Sequence, residues 1–345
     1  MSAQATDAEP LLSVEEVDVI LGRGWRANQV LSGVGLKIWP GEIVGLVGET
    51  GSGKTTLART VVGLITPRKG RVVFDGTETS RLRGGARRRE RRSGHVQLVF
   101  QDPLRSLDPD LTVAQIVGEG LAIRGGIDSE EIRSRVADAL AKVGLDATVL
   151  HRQPGQISGG QRQRVSIARA LASGPRLLLC DEPVSALDAS NRNYILRLLS
   201  HVRDSLDLPI VIISHDLSSL AGIADRVVVL YRGRIVEDGP VSQVFSAPRH
   251  PYTALLMASA PSISTQGVKH DRPLSVHQLR RTAADPPPPS GPDACVFAAR
   301  CPFAIDVCAA QPAREQVAAG WSAACHRHEE WAGLTRARTS SVVLT

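Results

Sequence analysis

The stretch "GETGSGKTT", residues 48–56, follows the apolar run "EIVGLVG" and opens the helical pattern "KTTLARTVVGLI". A strand that ends in a glycine-rich turn and restarts as a helix admits few folds. The turn has to stand at the carboxyl edge of a buried, mainly parallel sheet, where ligands of such sheets bind. In that setting Gly-x4-Gly-Lys-Thr is a phosphate cradle. Its glycines let backbone N–H groups curl around phosphate oxygens, and the helix N-terminus adds partial positive charge. Gly48, Glu49, Thr50, Gly51, Ser52, Gly53, Lys54, Thr55 and Thr56 form the candidate loop. Lys54 is placed to reach β- and γ-phosphates, and the Thr55 hydroxyl to ligate Mg²⁺.

Three further apolar runs have the same continuous, non-alternating character: "HVQLVF" at 95–100, "RLLLCD" at 176–181 and "PIVIIS" at 209–214. Continuous runs suit strands buried on both faces. Helical patterns lie between them, so the fold class is α/β with a parallel core. "RVVVLYRGRIVEDG" reads as a hairpin turning at Arg232-Gly233, and residues 110–150 read as a helical insertion. Hydrophobic residues make up 42% of the 345, with few aromatics, so the core is expected to be aliphatic.

Each of these strands ends on polar chemistry. Asp181 closes "RLLLCD" and should hold Mg²⁺ directly or through water. Glu182 follows it and can orient or deprotonate the water that attacks a γ-phosphate. Gln101 and His215 follow two more strands. Gln101 could order water and Mg²⁺, and His215 could hydrogen-bond the γ-phosphate. A second anion site stands at "ISGGQRQRV", where Ser158, Gly159, Gly160 and Gln161 open an Arg-rich helix with no lysine of their own.

Taken in order, Gly48–Thr56, Gln101, Ser158–Gln161, Asp181-Glu182, "SALD" at 185–188 and His215 resemble the nucleotide-binding subunits of ATP-binding cassette transporters. The resemblance covers residues 11–258 as the cassette, with a helical subdomain near 102–158 and an antiparallel β subdomain. It implies a P-loop NTPase core that binds ATP and Mg²⁺ and hydrolyses ATP. It also implies that Ser158, Gly159, Gly160 and Gln161 close over nucleotide held by a facing subunit, and that Asp188 belongs to the nucleotide site. An aromatic that stacks on adenine is implied upstream of the loop: Trp25 in one register, with Leu21 there in the other.

"VFSAPRHPYTALLMASAP" and "CVFAARCPFAIDVCAAQPAREQVAAGWSAACH" resemble the C-terminal segment of oligopeptide, dipeptide and nickel importer ATPases, and "VFQDPLRSLDP" fits the same group. Asp108, Asp110 and "NRNYI" depart from its usual pattern at positions near partner surfaces. The implied partners are a second cassette ATPase, identical or not, two membrane permeases and, indirectly, an extracellular solute-binding protein. The implied location is the cytoplasmic face of the membrane. No run of about 18 apolar residues is present, and "MSAQATDAEP" does not read as a secretory signal. Cassette ATPases of the ribosome type carry two cassettes, and those of the DNA-repair type carry long heptads. This chain shows one cassette and no heptads.

Residues 259–345 read as a C-terminal extension. "DPPPPSGPD" at 285–293 is a stiff proline spacer, which predicts a tail structurally separate from the cassette. Behind it stand Cys295, Cys301, Cys308 and Cys325, while Cys180 lies alone in an apolar run. In a reducing compartment such a group leans toward metal. The spacing is not the Cys-x2-Cys of most zinc sites. A 4Fe–4S cluster, implied by some members of the family and suited to four thiolates, zinc, and reduced buried thiols all remain open, with His326 able to flank. Finally, "RLRGGARRRERR" at 81–92 holds seven arginines and one glutamate within a chain of net charge +6. Without interleaved aromatics it does not read as a nucleic-acid site. A solvated loop, or a patch facing acidic lipid or a partner, is expected.

Overall fold

The computed structural model describes residues 9–185, 187–259, 276–283 and 285–334. The strands are β1 (Leu12–Leu21), β2 (Asn28–Ile38), β3 (Ile43–Val47), β4 (Lys69–Phe74), β5 (Thr77–Glu78), β6 (Val96–Val99), β7 (Leu177–Asp181), β8 (Ile210–Ser214), β9 (Arg226–Tyr231), β10 (Arg234–Pro240), β11 (Glu315–Ala318) and β12 (Trp321–Ala323). The helices are α1 (Lys54–Val61), α2 (Gly84–Ser93), α3 (Pro103–Ser106), α4 (Val113–Arg124), α5 (Ser129–Lys142), α6 (Gly159–Ala172), α7 (Ala189–Leu206), α8 (Val241–Ser246) and α9 (Pro251–Ser259). Two compact units result. One takes residues up to 28, 33–44 and 55–214; the other takes 29–32, 45–54 and the residues from 215 onward.

In the first unit β6, β7 and β8 are parallel, with Leu98 opposite Leu179 and Leu179 opposite Val211. β7 and β8 are buried along their whole length, as their unbroken apolar runs predict. An antiparallel sheet ordered β2-β1-β4-β5 stands apart from them in topology, with Leu12 opposite Phe74. The helical insertion is α4, α5 and α6 packed on one another. Their starts are fixed by side chains: Thr112 and Gln115 form a capping box on α4, and Asp128 accepts from the Glu131 N–H on α5. The arginine run, expected as a loop, is instead the helix α2, with no buried residue. Arg88, Arg89, Arg91 and Arg92 are exposed, so most of the charge points to water, and helix costs Arg little.

In the second unit β9 and β10 form the expected hairpin. Arg232 and Gly233 both take positive φ, 44° and 78°, the backbone of a tight primed turn whose twist matches the strands. The scarce aromatics gather here. Tyr231, Tyr252 and Phe297 form a three-ring cluster with centroids 4.5–5.5 Å apart.

The tail is not a separate appendage. β12 pairs antiparallel with β10, Glu237 opposite Ala323 and Asp238 opposite Ser322, and β11 pairs with β12. Glu237, with no exposure, secures the join. One carboxylate oxygen accepts from the Arg249 N–H at 2.8 Å and Trp321 Nε1 at 3.0 Å; the other accepts from the His250 N–H at 3.0 Å. Burial pushes its carboxyl up to about 7 against the pull of those donors. Replacing Glu237 with Ala strands three buried N–H groups. The expected loss is about 3 kcal/mol of stability, read as a lower midpoint of thermal unfolding together with faster proteolysis of residues 294–334.

Candidate functional site

The phosphate loop runs from Gly48 to Lys54 in the second unit, and its shape is dictated by contacts that exclude side chains. A Cβ at Gly48 would lie 2.1 Å from the Leu230 carbonyl oxygen; one at Gly53, where φ is +109°, would lie 2.7 Å from Leu31 Cδ2. The loop is pinned to the hairpin turn by the Gly233 N–H donating to the Ser52 carbonyl at 2.8 Å. Inside it the Lys54 ammonium, 6% exposed, donates to the carbonyls of Gly48 at 2.6 Å and Glu49 at 3.0 Å. Gly51 has positive φ and open space where a Cβ would stand. Thr50 is exposed.

In the first unit Thr55, Gln101 and Asp181 line one cavity of ≈ 640 Å³. All three expected Mg²⁺ ligands therefore share a space. They offer a hydroxyl, an amide oxygen and a carboxylate, the hard oxygen set that suits Mg²⁺. Asp181 is buried at the end of β7, and Glu182 is half-buried just beyond it. Glu182 has φ 47°, a left-handed conformation that non-glycine residues seldom adopt. Its N–H is held by the Ile213 carbonyl at 2.9 Å. The kink turns the chain off the strand, and the carboxylate meets Gln101, whose Nε2 donates to Glu182 Oε2 at 2.8 Å. Motif order alone gave no sign of this bond or of the strained backbone. His215 is exposed directly after β8, and Thr56 lies in the first turn of α1.

The second cradle is an N-cap. Ser158 Oγ accepts from the Gln161 N–H at 3.2 Å, and Gln161 Oε1 accepts from the Ser158 N–H at 2.9 Å. The two side chains thus organise the start of α6. The glycines between them differ. A Cβ at Gly160 would meet Asn191 Oδ1 at 2.7 Å, so a side chain there would have to displace the Asn191 amide. At Gly159 the nearest atom would be an Arg162 nitrogen at 3.9 Å. Packing within the chain leaves Gly159 open to approach from outside. Asp188 likewise caps α7, accepting from the Asn191 N–H at 2.9 Å and Ser190 Oγ at 2.6 Å, bonds that hold its carboxyl far below the usual range. Leu21 is 40% exposed at the end of β1; the Trp25 side chain lies outside the described residues, as does Ala186 of "SALD".

Comparison with known proteins is consistent with this geometry. Residues 31–185 match the family model described as ABC transporter, and residues 236–308 match that of the oligopeptide/dipeptide transporter C-terminal region. A Brucella ovis protein named as a peptide import ATP-binding protein is 41% identical over 319 residues, spanning 92% of this chain and 98% of its own. The chain belongs to the ATP-binding cassette family. The Escherichia coli oligopeptide transport ATP-binding protein OppF is 36% identical, over 90% of this chain and 93% of its own. Among solved structures, the cassette MJ0796 bound to ADP and Pi aligns with a TM-score of 0.61 at 31% identity, covering 67% of this chain and 98% of that one. CbiO1 from Clostridium perfringens aligns at 0.62 and 32%, covering 69% and 91%. As a cassette ATPase this chain binds and hydrolyses ATP with Mg²⁺. No helix among the described residues is long and apolar enough to cross a membrane.

The four tail cysteines line one apolar cavity of ≈ 20 Å³ together with Phe297, Phe303 and Trp331. All are free thiols. Burial first, and the neighbouring cysteines after it, push Cys301 and Cys325 up to about 12. Among the described residues no group of three His, Cys, Asp or Glu is arranged for a single metal ion. The arrangement as it stands supports neither zinc nor an iron–sulfur cluster. Four cysteines are the donor set of a 4Fe–4S cluster, but a cavity with room for about one water would have to widen to take one. His326 Nε2 is instead hydrogen-bonded with the Ala310 carbonyl at 3.0 Å. Cys180 is wholly buried in β7.

Proposed function

We propose that this chain is the ATP-hydrolysing subunit of an importer for peptides or related small solutes, working at the cytoplasmic face of the membrane. The observation that carries the reading is the joint match: a cassette whose Thr55, Gln101 and Asp181 share one cavity, followed by residues 236–308 of the oligopeptide-transporter type. The relatives' names point the same way. Its partners would be a second cassette ATPase and two membrane permeases, with an extracellular solute-binding protein delivering the solute.

In this reading Gly48–Thr56 holds the phosphates, and Lys54 moves its ammonium from loop carbonyls to the β- and γ-phosphates. Thr55, Gln101 and Asp181 would hold Mg²⁺, which would supply charge compensation at the γ-phosphate. Glu182 orients and deprotonates the attacking water, with Gln101 setting the direction of its carboxylate. His215 hydrogen-bonds the γ-phosphate. Ser158 and the open face at Gly159 close over nucleotide held by the facing subunit, so that binding energy drives dimer closure and hydrolysis releases it. Trp25 stacks on adenine, and Asp188 orders the start of α7 beside the site. Replacing Glu182 with Gln should leave ATP binding intact and lower turnover about 10²–10⁴-fold in the assembled transporter; near-normal turnover would sink the assignment.

The tail's four thiols would hold a 4Fe–4S cluster of structural use. Support for this comes from the four thiols lining one cavity, since four cysteine thiolates are the ligand set such a cluster takes. Anaerobic purification followed by iron and sulfide analysis and a visible spectrum should give about four of each per chain. Zinc in place of iron, or a metal-free protein with an intact tail, contradicts this reading.

A further inference from the structure

The phosphate loop is gripped from the C-terminal extension, across 251 residues of sequence. Glu49, the second residue of the loop, is held at both ends. Its N–H donates to the Tyr252 hydroxyl at 2.9 Å. Its carboxylate takes an end-on, two-pronged pair from Arg300, Nη1 to Oε2 at 2.8 Å and Nη2 to Oε1 at 2.9 Å. The guanidinium is itself fixed, since Nη1 reaches the Tyr231 hydroxyl at 3.4 Å and the group lies 5.7 Å from the centroids of both Tyr231 and Phe297.

A half-exposed ion pair of this kind does little for folding stability. Its consequence lies in what the carboxylate would otherwise do. The loop has to present N–H groups to a triphosphate, and an uncompensated anion within it repels that ligand. The Arg300 hydrogen bonds keep Glu49 ionised, so its charge has to be answered locally. Arg232 and Lys54 also face it, but it is Arg300 whose planar fork is hydrogen-bonded to both carboxylate oxygens.

We infer that Arg300 is a positioning residue for nucleotide binding: by clamping and neutralising Glu49 it shapes the phosphate loop to accept a triphosphate. Arg300 stands between Phe297 and Cys301, both of which line the thiol cavity. Among the described residues of the tail, Arg300 is thus the side chain seen to reach the phosphate loop. The inference rests on ATP binding alone and stands whether or not the cavity holds a cluster.

The test is titration of the full-length chain with a fluorescent ATP analogue at low and high salt, with ATPase kinetics alongside. Arg300→Ala should weaken binding roughly three- to tenfold at low salt, and less at high salt as screening grows, raising KM more than it lowers kcat. Arg300→Lys should recover part of the loss. In a Glu49→Gln background, removing Arg300 should produce no further weakening, because the charge it answers is gone. ATP affinity unchanged in Arg300→Ala overturns the inference. So does equal weakening by Arg300→Ala with and without Glu49, which would mean a packing role only. If Arg300→Ala alone fails to fold, Arg300→Lys and the Glu49→Gln/Arg300→Ala pair decide the question by the same comparison.

Discussion

A buried ammonium organises this protein. Lys54 has lost nearly all contact with water and is held by the carbonyls of Gly48 and Glu49. Burying a cation is costly unless its donors are satisfied, so the loop must wrap around it. That wrap works only if the backbone can pass within van der Waals contact of Leu230 and Leu31, where Gly48 and Gly53 stand. The hairpin turn at Arg232-Gly233 then fastens the loop through the Ser52 carbonyl. An ammonium so placed can be drawn forward by phosphate oxygens at little cost in reorganisation, which is what an ATPase asks of its loop.

Much of this was legible in the sequence because the chemistry is local. Gly48–Thr56 carries its own context, a buried strand before it and a helix after it. Ser158 and Gln161 are three residues apart, the spacing of a capping box. Asp181 and Glu182 end an apolar run whose burial its composition foretells. What stayed hidden depends on contacts between distant residues or on backbone strain. The Gln101–Glu182 bond links residues 81 apart. The left-handed turn at Glu182 accompanies its bond to Ile213, and no residue type at 182 signals it. The arginine run misled because charge density speaks of solvent, and both loop and helix meet that demand.

The tail shows the same limit more sharply. A proline spacer suggested detachment, yet β12 extends the edge of β10 and Glu237 knits the two together with Arg249, His250 and Trp321. Strand pairing between residues about 85 apart leaves no local signature when the strands are as short as Trp321–Ala323. Arg300 then carries the tail's influence into the phosphate loop. Cassette and extension are thus one folding problem in the second unit. Changes around the thiol cavity should register in nucleotide binding.

The central claim is that Ser158 serves a nucleotide bound by another chain while Lys54 serves this chain's own. Photolabelling with an azido-ATP, measured on the assembled transporter carrying Ser158→Arg together with its ATP turnover, separates the two. The account predicts that this chain is still labelled while turnover falls by roughly 10²-fold or more, because a bulky cation fills space meant for the facing γ-phosphate. Loss of labelling on the chain that carries the substitution would contradict it.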